Sequence, residues 1–385
     1  VKARRLTALL ALLLFLAACG GIRREAMKYA RYGYIDRAGN TVIEAQFAGA
    51  KGFSGGLAAV RTPDGMWGYI DKSGALVIPP QFAAAEGFSE DRARVEAAPN
   101  AWGYIDSAGR LRIAARFSAD DLQSFAEGLA AVRVHDAARF GVIERITLYS
   151  QAVGLQYVAR DYAGRWGYID KAGRTVIEPQ FLEAAPFSEG LAAVRVKSDS
   201  PRPEEWRFGY VNALGALVIP ATFDEAHPFH EGLARVRVGK AYGHIDRAGV
   251  LVVPAGFEEA GDFRDGLARV KAQGLYGYID RTGKIAIEPR FKTARDFSEG
   301  LALVSLDAKV AGYIDRTGRM AIEPQFVVAH AFSDGLARVE SNHAILGFGW
   351  GYIDRTGKRV IRRTDLHGAY PFSEGLARFY MTPLP

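Results

Sequence analysis

An aromatic-Gly-Tyr-Ile-Asp block recurs along the chain, with its glycine at Gly33, Gly68, Gly103, Gly167, Gly209, Gly243, Gly277, Gly312 and Gly351. The spacings are 35, 35, 64, 42, 34, 34, 35 and 39, a base period near 35. Self-similarity at this period restricts the chain to stacked supersecondary units. One such unit cannot bury its own apolar surface, so the array is the folding unit.

A unit reads aromatic-G-Y-I-D-x-x-G-x-x-x-I-x-P-x-F-x-x-A-x-x-F-S-E-G-L-A-x-V. Short runs rich in Tyr, Ile, Val and Phe, cut by Gly and Pro, predict strands. "WGYI" from Trp67 is one strand and "ALVI" from Ala75 the next. D-x-x-G joins them: Asp accepts backbone N–H bonds, and Gly supplies φ > 0 for a type I turn with a G1 bulge. Pro79, Pro179, Pro220, Pro254, Pro289 and Pro324 are expected to end the second strand, since proline cannot donate to a ladder. The stretch after proline turns the chain through a short third strand. "GLAAV" is a fourth, running by hairpin into the next unit's "WGYID". Neither face of "WGYI" is polar, so each sheet is expected to be buried on both sides. Gly68 leaves room for a neighbour, and Phe82 and Phe88 fill the gap between sheets.

"WGYID", "FSEGLA" and the Ile-x-Pro between them, recurring in order over about residues 29–380, resemble the bacterial WG (KWG) repeat family. Units one, five, six and seven carry Tyr32, Phe208, Tyr242 and Tyr276 in place of Trp, and unit eight carries Ala311. Asn212 replaces Asp in unit five, Glu90-Asp91-Arg92 replaces Glu-Gly-Leu in unit two, and unit nine loses Ile-x-Pro-x-Phe at "VIRRTDL". The resemblance implies a β-repeat scaffold of exported or signalling proteins, without general catalytic residues.

The fold expected is all-β: about nine short antiparallel β-meander repeats at 29–381 in propeller-like packing, with an open β-superhelix or solenoid as the alternative. Nine units exceed the usual propeller range of four to eight blades. The terminal repeats favour the propeller-like reading. The first opens on "YGYID" with no G-L-A-x-V before it, and the last closes on "GLARFYM" with no W-G-Y-I-D after it. Those two strands are complementary, and an open array would leave both as exposed edges.

Three spacings are long, and the extra residues are read as falling in one connection, between G-L-A-x-V and the next W-G-Y-I-D. The largest insertion, 134–165, alternates at Ile146/Leu148 and Leu155/Tyr157 and reads as a projecting hairpin. Insertions on one edge of an array often mark its binding face. Phe140, Arg145, Tyr149, Gln156, Tyr157 and Arg160 are its candidate binding residues. A degenerate tenth repeat is the plainer reading, since "FGVIE" at Phe140 echoes W-G-Y-I-D. Ser198–Glu205 and Ser341–Gly349 are the smaller insertions.

The N-terminal segment has its own logic. Lys2, Arg4 and Arg5 precede an apolar run, Leu6–Ala18, of signal-peptide length and too short to span a bilayer. Leu16-Ala17-Ala18-Cys19 resembles the bacterial lipobox. Cys19 is the single cysteine, so it forms no intrachain disulfide. The resemblance implies cleavage after residue 18 (signal 1–18), lipidation of Cys19 and a short tether at 19–28, with residues 382–385 a C-terminal tail. Several acyl chains give stable anchoring where one does not. Gly20, with no Asp after the cysteine, resembles lipoproteins sent to the outer membrane. The expected place is the cell envelope, the outer membrane before the inner.

With 49 basic and 43 acidic residues the net charge is +6, and +3 once Lys2, Arg4 and Arg5 leave. The cations are scattered among carboxylates, so no nucleic-acid partner is indicated. The Asp series from Asp36 to Asp354 and the Glu series Glu127, Glu189, Glu231, Glu299 and Glu374 sit at turns, as a residue present in every repeat ordinarily does. His227 and His230 are a close pair lacking further converging ligands, so no metal is expected. No cofactor motif and no nucleophile-elbow serine is present. The expectation is a non-catalytic scaffold holding an envelope protein or glycan. An envelope hydrolase is the alternative, and it requires unique carboxylates or histidines to converge in one pocket.

Overall fold

The computed structural model describes residues 30–135, 147–149, 156–158, 164–197, 202, 205–341, 350–363 and 368–382. Cys19 and the signal segment lie outside them. No α-helix forms among the described residues, and so none there is long and apolar enough to cross a membrane. Two compact units are present, Val1–Gly87 with Phe326–Pro385 and Phe88–Gln325.

In the second unit each four-stranded antiparallel sheet draws on two repeats. Glu183–Ala184 and Leu191–Val196 of repeat four pair outward to Arg207–Asn212 and Leu217–Phe223 of repeat five. The hairpin register places Val194 opposite Gly209. In the first unit Leu376–Met381 pairs with Arg31–Asp36 in the same register, Phe379 opposite Gly33. The last strand of the chain therefore completes the sheet of the first, and neither is the exposed edge that an open array would leave.

The prolines do not end the second strand. Pro79 lies inside Leu76–Phe82 and Pro220 inside Leu217–Phe223. In the four-stranded sheets this strand is the outer edge, where an N–H is dispensable. The proline also falls in a bulge. Phe208 pairs with Phe223 but Tyr210 with Ile219, so the second strand runs longer than the first between those pairs. The slack wraps over Gly209, where an added Cβ would lie 2.5 Å from the Ile219 carbonyl oxygen. The glycine makes room for the backbone of its own sheet.

The D-x-x-G turns form as the sequence indicates. Asp170 Oδ1 accepts from the N–H groups of Ala172 and Arg174, both at 2.9 Å, and Gly173 has φ 80°. Asn212 does the same with Leu214 and Ala216.

The G-Y-I-D tyrosine ties adjacent sheets. Tyr210, fully buried in one sheet, donates its hydroxyl to the His227 carbonyl of the next at 2.8 Å. Its ring meets Phe229 edge-on at 5.0 Å. Tyr168 with Phe187 and Tyr278 with Phe297 repeat the arrangement. Repeat six uses His244, whose Nε2 lies 2.9 Å from the Gly261 carbonyl. Burial lowers its pKa to about 4, so the ring is neutral at pH 7.

A second tie joins the S-E-G turns. Glu189 and Gly190 have φ 54° and 79°, the two positive values of a type I′ turn. Asn-Gly is the favoured pair there, and a glutamate in the left-handed region costs about 1 kcal/mol. The glutamate serves the following repeat. Glu127 accepts from the N–H groups of Glu189 at 2.6 Å and Gly190 at 2.8 Å. Glu189 in turn accepts from Gly232 at 2.9 Å. In the first unit Glu374 accepts from Gly55 and Gly56.

Glu127→Gly relieves the left-handed strain, so an idle side chain would give a more stable variant. The relay predicts the reverse, a loss of about 1 kcal/mol in urea unfolding. A gain in stability would show that the carboxylate has no coupling role.

Candidate functional site

The symmetry breaks most between repeats three and four. Leu129–His135 and Gly164–Asp170 pair out to His135 opposite Gly164. Beyond them Thr147–Tyr149 and Gln156–Val158 pair with each other, Tyr149 opposite Gln156 and Leu148 opposite Tyr157. These two short strands are the described part of the 134–165 insertion between His135 and Gly164. Of its candidate residues, Tyr149, Gln156 and Tyr157 lie on the paired strands, while Phe140, Arg145 and Arg160 lie outside the described residues.

The extra residues do not all fall in that connection. Eight positions separate Phe117 from Phe125, where six separate Phe82 from Phe88. The added length forms a 3-10 turn, Ala119–Asp121, absent from the other described repeats. It carries Asp121, which is 5% exposed. Three side chains converge on this carboxylate. Arg133 Nε donates at 2.6 Å, His135 Nε2 lies at 2.9 Å, and Ser118 donates its hydroxyl to Oδ2. Arg133 also stands over the Trp166 ring at 5.3 Å. Burial acts to raise the Asp121 pKa, but the bonds from Ser118, His135 and Arg133, with the Arg133 charge, outweigh it. The carboxyl is held below its ordinary value.

Asp121, Arg133 and His135 line a cleft of about 340 Å³ at the root of the insertion. Val132, Val134, Ile169 and Ile177 form apolar walls, and Arg116 and His135 stand at exposed positions. Few polar groups on apolar walls is the usual make-up of a binding pocket. Ser118 and His135 both bond Asp121 and not each other, so the contact that activates a nucleophile is not formed. A carboxylate pinned by arginine is also poorly set as a general acid. The arrangement instead fixes Arg133 and His135 in place. Sequence reading missed this cluster because the long spacing of 64 merges both insertions; the stretched Phe117–Phe125 interval was the available signal.

A family model described as WG containing repeat matches residues 32–64, 67–97, 102–136, 166–198, 208–240, 242–276, 276–309, 312–342 and 350–381. The chain belongs to the WG-repeat family. No curated protein gives a significant match to this WG-repeat chain. Among solved structures, BamB from Moraxella catarrhalis is similar at 8% identity and a TM-score of 0.33, over 88% of this chain and 83% of that one. The WD40 β-propeller domain of Doa1 gives 11%, 0.27, 56% and 85% in the same order. The extracellular domain of the putative hybrid two component system BT3049 from B. thetaiotaomicron gives 9%, 0.24, 87% and 47%. Likeness at these scores carries no argument about this WG-repeat protein, whose fold rests on its own pairing.

The other histidine pair is held by its surroundings. His227 Nδ1 lies 3.0 Å from Arg235 Nη2, and His230 lies 3.6 Å from Asp262. Among the described residues no group of three or more His, Cys, Asp or Glu is placed to hold a metal ion.

Asp121→Asn leaves Arg133 without its counter-charge at a site where both side chains are nearly buried. A loss of about 3 kcal/mol at pH 7 is expected by urea unfolding. A group with a depressed folded pKa stabilises above its ordinary value, here 3.8, and that contribution disappears as pH falls through the folded value. The variant should therefore lose less stability than wild type between pH 5 and pH 2. Parallel acid profiles would contradict the cluster's ionisation.

Proposed function

We propose that this WG-repeat protein is a lipid-anchored, non-catalytic binding scaffold of the bacterial cell envelope, and that it holds a protein or glycan at the cleft beside the 134–165 hairpin. The observation that carries the reading is the meeting of both repeat-breaking insertions at one cleft, with Arg133 and His135 fixed on Asp121. The regular repeats put their polar residues into turns and ties, which leaves recognition to the exceptions. Anchoring at Cys19, with outer-membrane placement, is supported by the basic-apolar-Leu-Ala-Ala-Cys-Gly order of residues 2–20.

A hydrolase is the second reading, favoured by one observation: a unique carboxylate, Asp121, and a unique histidine, His135, share the cleft. The pinned carboxylate makes it the weaker of the two.

Deleting the hairpin while joining His135 to Gly164 through a short Gly-Ser turn should abolish capture of an envelope protein or glycan from bacterial lysate. Unchanged capture removes the hairpin from the site. Metabolic palmitate should label the wild-type protein and not Cys19→Ala; label retained in the variant overturns the anchor.

A further inference from the structure

In five of the nine repeats an arginine of the fourth strand crosses to the third strand of the next, whereas repeat one has Ala59 and repeat seven Leu303 at that position. Arg235 donates to the Ala260 carbonyl at 2.7 Å, Arg269 to Ala294 at 3.3 Å and Arg94 to Leu122 at 2.6 Å. Arg378 reaches the Ala50 carbonyl in the same way. The aliphatic stem and guanidinium fill the space between successive third strands. Repeat three has Ala131 at this position, and Gln123 takes over, donating to the Ala184 carbonyl at 3.0 Å. Repeat four has Ala193.

A cleft of about 470 Å³ opens at that point. Ala193 lines it, and so does Ala226, the residue whose carbonyl an arginine at 193 would meet by the rule of the arginine-bearing repeats. The remaining lining suits what is missing. Pro186, Pro228 and Phe208 supply apolar wall, and no lysine or arginine is among the lining residues. Glu183, paired on one oxygen with Arg195 at 2.8 Å, and Glu225 supply the carboxylates. Burial acts to raise the Glu225 pKa, but its bonds from Tyr242 and Arg237 outweigh burial and hold the carboxyl below its ordinary value. Gln123 Oε1 is a buried acceptor with no hydrogen-bond partner among the described residues. Pro228 stands where Asp262 and Asp296 flank the arginines of neighbouring gaps, so the carboxylates here come from the third strands instead. The cleft shares no lining residue with the one at Asp121.

We propose that this cleft binds a guanidinium or primary ammonium group carried on an aliphatic stem, as on an arginine or lysine side chain, in the place that the chain's own arginines fill elsewhere. The stem lies against the prolines and Phe208, and the cationic head meets Glu183, Glu225 and the Gln123 acceptor.

Calorimetric titration of the full chain with agmatine tests this, with pentanoate as the anionic control. Saturable agmatine binding is expected, at least tenfold tighter than pentanoate and weakened by salt. Ala193→Arg should abolish it, because the new side chain occupies the cleft by the existing rule, with a melting temperature at or above wild type. If that variant fails to fold, Glu183→Gln/Glu225→Gln provides the second reading and should weaken binding at least tenfold. Absence of saturable agmatine binding, equal binding of pentanoate, or wild-type affinity in a folded Ala193→Arg or in the double variant each overturns the proposal.

Discussion

A tyrosine hydroxyl that crosses from one sheet to the next turns a string of meanders into an array. Tyr210 belongs to a sheet shared by repeats four and five, while its acceptor, the His227 carbonyl, belongs to the sheet that follows. Ring and hydroxyl act together. The ring packs with Phe229, Leu191, Ile219 and Val236 in one buried cluster, and the hydroxyl satisfies its own burial cost on a backbone oxygen. A phenylalanine would fill the space but leave the two sheets without a fixed register. His244 shows that a ring with a donor in the right place is what the position requires.

The second tie works against local preference. A type I′ turn asks for Asn-Gly, yet Glu127, Glu189 and Glu231 occupy its first central position at φ near 53°. Backbone strain at a residue signals a compensating interaction elsewhere. Here the compensation is the N–H pair of the neighbouring turn, an anion-binding concavity formed by two successive left-handed residues. Such ties run between repeats and not within them, so the stability of one repeat depends on the next. Prolines on the outer strand complete the scheme. That edge carries exposed apolar residues such as Val77 and Val218, and a proline-bearing bulge breaks the ladder on which another strand would pair.

The sequence disclosed what depends on local chemistry. The D-x-x-G turns, the meander order and the pairing of first and last strands follow from residue types read against their neighbours along the chain. Pro79 was misread because an edge strand and a strand end look alike until sheet order is known. The role of Glu127 was hidden for a related reason: its partners are 62 and 63 residues away. Asp121 was hidden because its own small insertion shares one long spacing with the larger one at 134–165. Nothing along the fourth strand marks Arg94, Arg235 and Arg269 as bridges, and only the adjacent third strand reveals them.

A repeat array gives every copy the same local environment, so a site present in each copy has no single address. A unique site requires a defect, and this chain contains two kinds. Added residues at Ala119–Asp121 and 134–165 build groups that no other repeat has. The small side chain at Ala193 leaves a space that the arginine-bearing repeats show how to fill. The second kind is the more informative about its ligand. An insertion displays new chemistry without saying what it meets, whereas a missing bridge leaves behind the wall, charge and acceptors shaped for the group that is absent. In a chain built from copies, the intact copies are therefore the best guide to what the defective one can bind.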